Sequence, residues 1–328
     1  MKAIAITSWG GPEVLELVDR PQPVPAEGEV VIRVSVAGLN FADVSTRLGR
    51  LGTGSPPVIP GLEVAGEVAS VGPGVTAPSV GDRVAAFVSS GYAEFAVAKA
   101  ELTWVLPDGV SFEEGAAFPT IGVTAFNLLT KAARLQPGET VMLWGAAGGV
   151  GTMAAQLARM FGAGQVIGVV GARDKVGTAD RAGCDDVVVY SEGDLTARIL
   201  ELTHDHGADV ILNAVAGEEL ERDADRLADF GRLAVYGMAS GRPGLIPSNS
   251  LHSRSCSLVG YSTSIHRKSR PHEVNAAGRA VLTLLEAKRI EIFRGGDFDL
   301  EDAADAHRHI ESRQSVGKIL LHVANSTS

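Results

Sequence analysis

A glycine-rich turn between a strand and a helix constrains this chain more than any other feature. Residues 140–144 (TVMLW) predict a β-strand, GAAGGVG follows at 145–151, and a helical pattern then runs from Thr152 to Phe161. The turn matches G-x-G-x-x-G with Ala146 in the first place. Such a turn brings backbone N–H groups close to a pyrophosphate at the helix start. It therefore predicts a dinucleotide site contacted by Ala146, Gly148, Gly149 and Val150.

The segments after this turn alternate between strand and helix patterns. Strands are predicted at 165–170, 187–190, 209–212 and 232–236, and helices at 174–182, 195–202 and 220–230. This repeat is typical of a parallel sheet with helices on both faces. The sequence from 124 to 262 is therefore predicted to be a doubly wound α/β domain.

The first third of the chain has a different pattern. Short β-rich runs at 30–36, 64–71, 84–88 and 92–97 recur at roughly ten-residue spacing with Gly and Pro between them, which predicts a small barrel or sandwich. After residue 262 the alternation fades into one long helix at 273–287 and a final strand at 317–323. We therefore predict one domain from 1–123 plus 263–328, with the domain at 124–262 inserted into it.

The end of the second predicted strand indicates which dinucleotide binds. Folds that prefer NAD place Asp or Glu there, about 20 residues beyond the turn, to bind the ribose 2′-hydroxyl. This chain has Gly171 at that position, and Arg173 and Lys175 follow within four residues. Two cations without a strand-end carboxylate suit a 2′-phosphate, so the sequence predicts NADPH. Asp174 is the one contrary residue, and it is interpreted as a helix N-cap.

Charge and hydropathy exclude several classes of protein. Lys and Arg total 29 against 39 for Asp and Glu, so the net charge is −10 and nucleic acid is not an expected partner. The longest uncharged apolar stretch, 115–130, is too short to span a membrane, and the first residues lack the apolar core of a signal peptide. We expect a soluble cytoplasmic protein without a membrane partner.

Cysteine and histidine positions argue against a metal site. The only cysteines, Cys184 and Cys256, lie far apart, which excludes a disulfide framework and a four-cysteine zinc site. The two histidine pairs, at 204/206 and 307/309, have no third ligand nearby in sequence and are expected on the surface. No metal ligand is predicted.

A set of ordered motifs resembles a known family. The motifs are GLNFADV at 38–44, PGLEVAGEV at 60–68, GDRV at 81–84, GYAE at 91–94, the glycine-rich turn, and GKI at 317–319. Together they resemble the zinc-independent quinone oxidoreductases of the medium-chain dehydrogenase/reductase superfamily over essentially the whole chain. The resemblance implies an α/β protein in which a GroES-like β-rich catalytic domain carries an inserted Rossmann domain with a doubly wound parallel sheet. It also implies a homodimer.

The resemblance assigns roles to individual positions. It implies that Asn40 and Thr124 are catalytic and contact the nicotinamide, and that Lys175 and Tyr190 bind the 2′-phosphate. It also implies that Val215, within 213–217, and Gly237 line the nicotinamide. Zinc-dependent relatives have Cys and His where this chain has Asn40 and Leu62, so an amide and an alkyl group replace the zinc ligands. Quinone reductases often carry Tyr shortly after the Asn motif, where this chain has Ser45 and Leu51.

Three functions are compatible with these features. The first is an NADPH-dependent oxidoreductase that transfers hydride to a small-molecule acceptor, either a quinone or the β-carbon of an α,β-unsaturated carbonyl. The cofactor carries the chemistry and the protein orients it, with solvent as the expected proton source. The second is an enoyl-thioester reductase resembling the enoyl reductase modules of polyketide synthases. The third is a non-enzymatic NADPH-binding protein.

Overall fold

The β-branched segments of the first third form a sheet that closes on itself. The computed structural model describes residues 1–50 and 54–323. In its first part the strands are β1 (Lys2–Ile6), β2 (Leu15–Asp19), β3 (Glu29–Leu39), β4 (Glu63–Val71), β5 (Arg83–Val88) and β6 (Phe95–Val105). Helix α1 (Phe41–Arg47) follows β3, and α2 (Phe112–Asn127) follows β6. Strand β3 pairs with both β4 and β6, so β3–β6 form a closed, antiparallel set of strands without an exposed edge.

The alternating segments form an all-parallel sheet. Its strands are β7 (Thr140–Trp144), β8 (Gln165–Val170), β9 (Asp186–Val189), β10 (Ala208–Asn213), β11 (Leu227–Val235) and β12 (Ser257–Gly260). Helices α3 (Gly149–Met160), α4 (Val176–Arg181), α5 (Leu195–Leu202), α6 (Gly217–Arg226), α7 (Ser248–His252) and α8 (Thr263–Ser269) lie between and after them. The strand order is β12-β11-β10-β7-β8-β9, with every pairing parallel. The predicted doubly wound sheet is confirmed.

The last part of the chain returns to the first sheet. Helix α9 (Pro271–Glu286) precedes β13 (Arg294–Asp299), α10 (Ala303–Glu311) and β14 (Lys318–His322). Strand β14 pairs antiparallel with β3 and parallel with β13. The first compact unit therefore comprises Met1–Val123 and Ser264–Ser328, and the second comprises Thr124–Thr263. The predicted inserted domain, 124–262, differs from the second unit by one residue.

Each unit has its own apolar core. In the first unit the core side chains alternate along β3 and β4 and meet the buried Ile319 and Leu321 of β14. In the second unit the core lies between the sheet and α5 and α6 and includes Ile167, Ile199 and Ile211. Among the described residues, no helix is long and apolar enough to cross a membrane.

One predicted element is wrong. The helix predicted at 220–230 ends at Arg226, and Leu227–Val235 is strand β11. Leu227 and Ala228 are completely buried, and Phe230 has a backbone φ of 63°, which a right-handed helix does not allow. The pairing of Leu227 with Ala208 in β10 overrides the helical pattern of this short apolar run.

Candidate active site

The glycine-rich turn has the geometry of an anion-binding loop. Strand β7 ends at Trp144, Gly145 takes a φ of 65°, and the Gly148 N–H donates to the Gly145 carbonyl over 2.8 Å. Helix α3 then starts at Gly149, and Gly148 at its N-cap has no side chain with which to cap the helix. A Cβ on Gly151 would lie 2.2 Å from the Gly145 carbonyl oxygen, so only glycine lets the helix approach the turn this closely.

The predicted contact residues of the turn divide by exposure. Ala146 is buried and its N–H donates to the Val169 carbonyl of β8 over 3.1 Å, which ties the turn to the sheet. Gly148, Gly149 and Val150 are partly exposed at the helix start. Their backbone N–H groups belong to the helix end that favours negative charge, so this end suits a pyrophosphate.

Two of the residues predicted to recognise the 2′-phosphate lie side by side. Gly171 is exposed immediately after β8, and a Cβ there would lie 3.4 Å from Cε1 of Tyr190.

Lys175 is partly buried, and that burial lowers the pKa of its ammonium while the charge of Asp174 opposes the shift. The predicted N-cap role of Asp174 is wrong, because it lies inside the short 3-10 turn Arg173–Lys175 and the residue that precedes α4 is Lys175.

Arg173 forms an exposed ion pair. Its Nη2 atom lies 2.6 Å from Oε2 of Glu192, and its side chain faces solvent. Exposed pairs of this kind contribute about 0–1 kcal/mol to stability. The guanidinium can therefore leave Glu192 and bind a phosphate at a low cost in free energy. The residues predicted at the end of β8 thus combine two cations with an open backbone position.

The ends of β10 and β11 are hydrogen-bonded to each other. The Asn213 Oδ1 atom accepts the N–H groups of Val215 and Ala216, each over 2.8 Å. The Tyr236 N–H donates to the Asn213 carbonyl over 3.0 Å. A Cβ on Gly237 would lie 2.8 Å from the Ala214 carbonyl oxygen. The structure therefore brings the predicted residues Val215 and Gly237 to adjacent turns at the carboxyl ends of β10 and β11.

Asn40 belongs to a buried polar cluster in the first unit. Its Nδ2 donates to Oε1 of Glu63 over 2.7 Å, and its Oδ1 accepts from Nζ of Lys318 over 2.7 Å. Lys318 and Glu63 also form a direct ion pair, and both are almost fully buried. The second oxygen of Glu63 accepts the Thr120 N–H over 2.6 Å. An ammonium is donor-only and a carboxylate acceptor-only, so these partners fix which way the Asn40 amide points.

A second buried group of side chains supports this cluster. Asp43 accepts the N–H of Asn40 over 2.8 Å and that of Gly61 over 3.2 Å. Burial raises the pKa of Asp43 to about 7, against the lowering effect of its backbone donors and the Lys318 charge. Tyr92 donates its hydroxyl to Asp43 over 3.4 Å and lies 3.4 Å from Nε2 of His307.

The expectation that His307 lies on the surface is wrong. The residue is completely buried in α10, and burial followed by the Arg47 charge lowers the pKa of its imidazole to about 3. Its Nδ1 lies 3.3 Å from Nη1 of Arg47, whose Nη2 pairs with Glu311 over 2.7 Å. Ala303 and Ala306 of α10 are buried as well. Their helical spacing relative to residue 307 indicates that His307 lies on the buried face of the helix.

Thr124 lies in the second unit and is nearly buried. Its Oγ1 is 2.8 Å from Oγ1 of Thr263. One turn further along the chain, Asn127 donates to the Tyr261 hydroxyl over 3.1 Å. Of the two positions where related reductases carry tyrosine, Ser45 lies in α1, and Leu51 falls outside the described residues.

The donor set around Asn40 does not fit zinc. An ammonium already occupies the space between the Asn40 and Glu63 oxygens, and Leu62 offers an alkyl side chain. Zinc sites in proteins use thiolate, imidazole and carboxylate groups without a lysine cation among them. Within residues 1–50 and 54–323, no group of three or more His, Cys, Asp or Glu side chains is placed to hold a metal.

Comparison with known proteins places this arrangement in a family. Residues 26–119 match the alcohol dehydrogenase GroES-like domain, and residues 149–277 match the family described as zinc-binding dehydrogenase. A quinone oxidoreductase of Pseudomonas aeruginosa is 34% identical over 98% of this chain and 99% of its own length. The chain belongs to the quinone oxidoreductase family of medium-chain dehydrogenases and reductases. The predicted family and fold class are confirmed.

Solved structures of this family have the same fold. A mycobacterial protein complexed with NADPH has a TM-score of 0.93 and 35% identity, covering 98% of this chain and all of that one. The Escherichia coli quinone oxidoreductase complexed with NADPH has a TM-score of 0.91 and 32% identity, with the same coverage. The rat quinone oxidoreductase is 34% identical over 98% of this chain and 97% of its own length.

Proposed function

We propose that this protein is an NADPH-dependent oxidoreductase that reduces a quinone or an α,β-unsaturated carbonyl compound. The observation that carries the proposal is the combination at the strand ends of the second unit. An uncapped helix start follows β7. After β8 comes an open Gly171 beside Tyr190, with Lys175 four residues further along the chain. The NADPH complexes of the mycobacterial and E. coli relatives support this choice of cofactor.

The chain's own residues would hold two charged parts of this cofactor. The N–H groups at Gly148, Gly149 and Val150 would hold the pyrophosphate, and the cations at Arg173 and Lys175 would hold the 2′-phosphate. When bound, NADPH supplies a hydride from C4 of its nicotinamide to the acceptor, and solvent supplies the proton. The protein orients the reactants and excludes water from them.

The hydrogen bonds of Asn40 favour a contact with the nicotinamide over polarisation of the acceptor carbonyl. One N–H of its amide donates to Glu63, and the other faces the Gly38 carbonyl at 3.4 Å. Its Oδ1 keeps one lone pair beyond the bond from Lys318. We therefore propose that Asn40 accepts a hydrogen bond from the carboxamide of the nicotinamide. Polarising an acceptor carbonyl would require an N–H that is already committed.

Catalysis without zinc is part of the proposal. The Lys318 ammonium supplies a fixed positive charge within the polar cluster, so the negative charge of Glu63 is balanced without a metal ion. Dialysis against a chelator should leave the rate of NADPH oxidation unchanged, with metal content measured on the same sample. Loss of activity that added zinc restores would contradict this part.

A steady-state acceptor panel tests the activity. NADPH oxidation is followed with naphthoquinones, simple enones and a crotonyl thioester, and NADH replaces NADPH in a parallel series. We expect turnover with quinones or enones and a preference for NADPH. Faster reduction of the thioester than of any quinone would favour an enoyl-thioester reductase. Tight NADPH binding without oxidation by any acceptor would favour a binding protein.

A homodimer is also proposed. Strand β12 lies at the edge of the parallel sheet and exposes Leu258, and Phe230 and Leu245 of the same unit are 72% and 78% exposed. An open strand edge beside exposed apolar side chains suits pairing with another copy of the chain. Light scattering coupled to size-exclusion chromatography should give twice the chain mass. The cytoplasmic location and the absence of nucleic-acid and membrane partners stay predictions.

A further inference from the structure

A carboxylate without any exposed surface lies beneath the strand ends of the second unit. Asp223, on α6, accepts from Nε1 of Trp144 over 2.9 Å and from Nδ2 of Asn213 over 2.6 Å. Its other oxygen accepts from Nη1 of Arg226 over 2.8 Å. These donors come from β7, β10 and α6, so a single side chain bonds three elements together.

The two strand donors occupy a particular place in the sheet. Trp144 is the last residue of β7, and Asn213 is the last residue of the adjacent strand β10. The strand order reverses between these two strands, because β8 and β9 continue on one side of β7 while β10–β12 continue on the other. Ligands of open α/β sheets bind outside the carboxyl ends of the strands at such a switch point. Asp223 therefore joins the two strand ends that flank the expected cofactor crevice.

Asn213 links Asp223 by hydrogen bonds to the backbone of the turn after β10. Because the carboxylate accepts only, it holds the Nδ2 end of the amide, and Oδ1 must face the N–H groups of Val215 and Ala216. Ala216 has a φ of 58°, a region that costs a residue with a Cβ about 1–3 kcal/mol. The two hydrogen bonds to Oδ1 compensate for that strain. The shape of the turn after β10 thus depends on the orientation of one amide.

Arg226 keeps the buried carboxylate ionised. Its guanidinium bonds Asp223, pairs with Glu219 over 2.9 Å, donates to the Thr196 hydroxyl over 3.0 Å and lies over the Trp144 ring. Burial raises the pKa of Asp223 to about 6, against the lowering effects of its hydrogen bonds and the Arg226 charge. At neutral pH the group remains an acceptor for all three donors.

We propose that Asp223 is a positioning residue for the nicotinamide end of NADPH, acting through Asn213 on the turn at Val215 and Ala216. This inference rests on the proposed function. It assigns to Asp223 no contact with the cofactor, and it separates the two ends of NADPH. The adenosine 2′-phosphate end depends on the residues after β8, chiefly the cations Arg173 and Lys175. Tyr190 in that group packs against the Trp144 ring, with the ring centroids 5.8 Å apart, and not against the Asp223 carboxylate.

The first test compares two ligands on one variant. Dissociation constants are measured for NADPH and for adenosine 2′,5′-bisphosphate, which carries the 2′-phosphate but no nicotinamide. Asp223→Ala should raise the dissociation constant for NADPH by at least about tenfold, which corresponds to about 1.4 kcal/mol. It should change the dissociation constant for the bisphosphate by less than about twofold. Asp225→Ala, at an exposed position on the same helix, is the control and should change neither. Equal weakening of both ligands, or no weakening of NADPH, would overturn the proposal.

The second test exchanges the two side chains. Asn213→Asp alone places two carboxylates in contact and should weaken NADPH binding, because like charges at this distance disfavour ionisation of both. The double variant Asn213→Asp/Asp223→Asn restores an amide facing a carboxylate and still offers an acceptor to Val215 and Ala216. It should recover NADPH affinity to within about threefold of wild type. Recovery of the unfolding midpoint without recovery of NADPH affinity would show a purely structural role and overturn the proposal.

The two proposals fail in different ways. If the wild-type protein does not bind NADPH, the proposed function fails. If the wild type binds and oxidises NADPH while Asp223→Ala keeps the same NADPH affinity, only the positioning role fails. Hydrogen exchange at the Val215 and Ala216 amides adds a readout independent of activity, and both amides should exchange faster in Asp223→Ala.

Discussion

The two units use the same chemical group for different purposes. In each, a buried asparagine amide is held by a carboxylate whose charge a buried cation balances. In the first unit Lys318 and Glu63 orient the Asn40 side chain itself. In the second unit Asp223 orients Asn213, whose oxygen then holds two backbone N–H groups. One unit thus presents a side chain and the other a shaped backbone.

This difference has consequences for how each region responds to substitution. A site made from side chains fails when a partner is removed, because a buried charge or amide is left unsatisfied. A site made from backbone fails when a Cβ enters the space that the backbone needs. The largest effect is therefore expected where a buried charge loses its partner, and smaller effects where one contact to the cofactor is lost.

Removal of the Lys318 cation should have the largest effect. Lys318→Met leaves Glu63 buried without its balancing charge, and such a loss costs about 3–5 kcal/mol. Denaturant unfolding should show the destabilisation, and turnover should fall because the Asn40 amide loses the donor that fixes it. Lys288→Met, which removes an exposed pair with Glu114, should cost under about 1 kcal/mol. Similar midpoints for the two variants would break the contrast.

The buried His307 should make the first unit sensitive to acid. The pKa of its imidazole falls from 6.5 to about 3 on folding. Between these two pH values the imidazole binds a proton in the unfolded chain and stays neutral in the folded protein. Stability is therefore lost as the pH falls from 6.5 to about 3, by about 1.4 kcal/mol per pH unit. Unfolding midpoints of His307→Gln should depend less steeply on pH over this window.

The titration of Asp43 changes stability with pH in the opposite direction. Burial raises its pKa from 3.8 to about 7, so its contribution to stability is full below pH 4 and is lost as the pH rises toward 7. The wild-type slope is the sum of both groups, and only the difference between variant and wild type isolates His307. The exposed His272→Gln should keep the wild-type slope. An unchanged slope in His307→Gln would refute its assignment as a neutral buried imidazole.

The glycine-rich turn should tolerate no Cβ at Gly151. In Gly151→Ala the new atom would lie 2.2 Å from the Gly145 carbonyl oxygen, so the turn must shift away from the helix start. NADPH affinity should fall by at least about tenfold. Gly177→Ala, inside α4 with open space around its Cβ position, should leave the affinity unchanged and fluorescence titration would measure both. Tight binding by Gly151→Ala would mean that the turn does not carry the pyrophosphate.

Lys175 should discriminate between the two nicotinamide cofactors. Lys175→Ala removes one cation from the group beyond β8, and a charge-assisted contact contributes about 1.5–3 kcal/mol, so NADPH should bind about tenfold or more weakly. NADH affinity should stay the same because it lacks the 2′-phosphate. The exposed Lys131→Ala is the matched control. Equal loss for NADH and NADPH would place the role of Lys175 away from the 2′-phosphate.

Local patterns predicted most strands of the second unit and failed in both units where long-range contacts decide. Strands 140–144 and 165–170 occur with the predicted bounds, because a buried parallel strand is a continuous apolar run ended by glycine. The segment 227–230 was predicted as helix, and its pairing with β10 made it a strand. The surface position predicted for His307 was wrong because its burial depends on contacts with Arg47 and Tyr92, 260 and 215 residues away.

The sequence by itself determined the dinucleotide fold, the family and the position of the glycine-rich turn. Each depends on short motifs whose residues are neighbours along the chain, so the spacing within a motif fixes its local geometry. Only the tertiary structure revealed that Asn40 is held by Lys318, 278 residues later, and that Asp223 lies beneath two strand ends. Hydrogen bonds between distant residues depend on which strands become neighbours, and the topology of the folded sheet decides that.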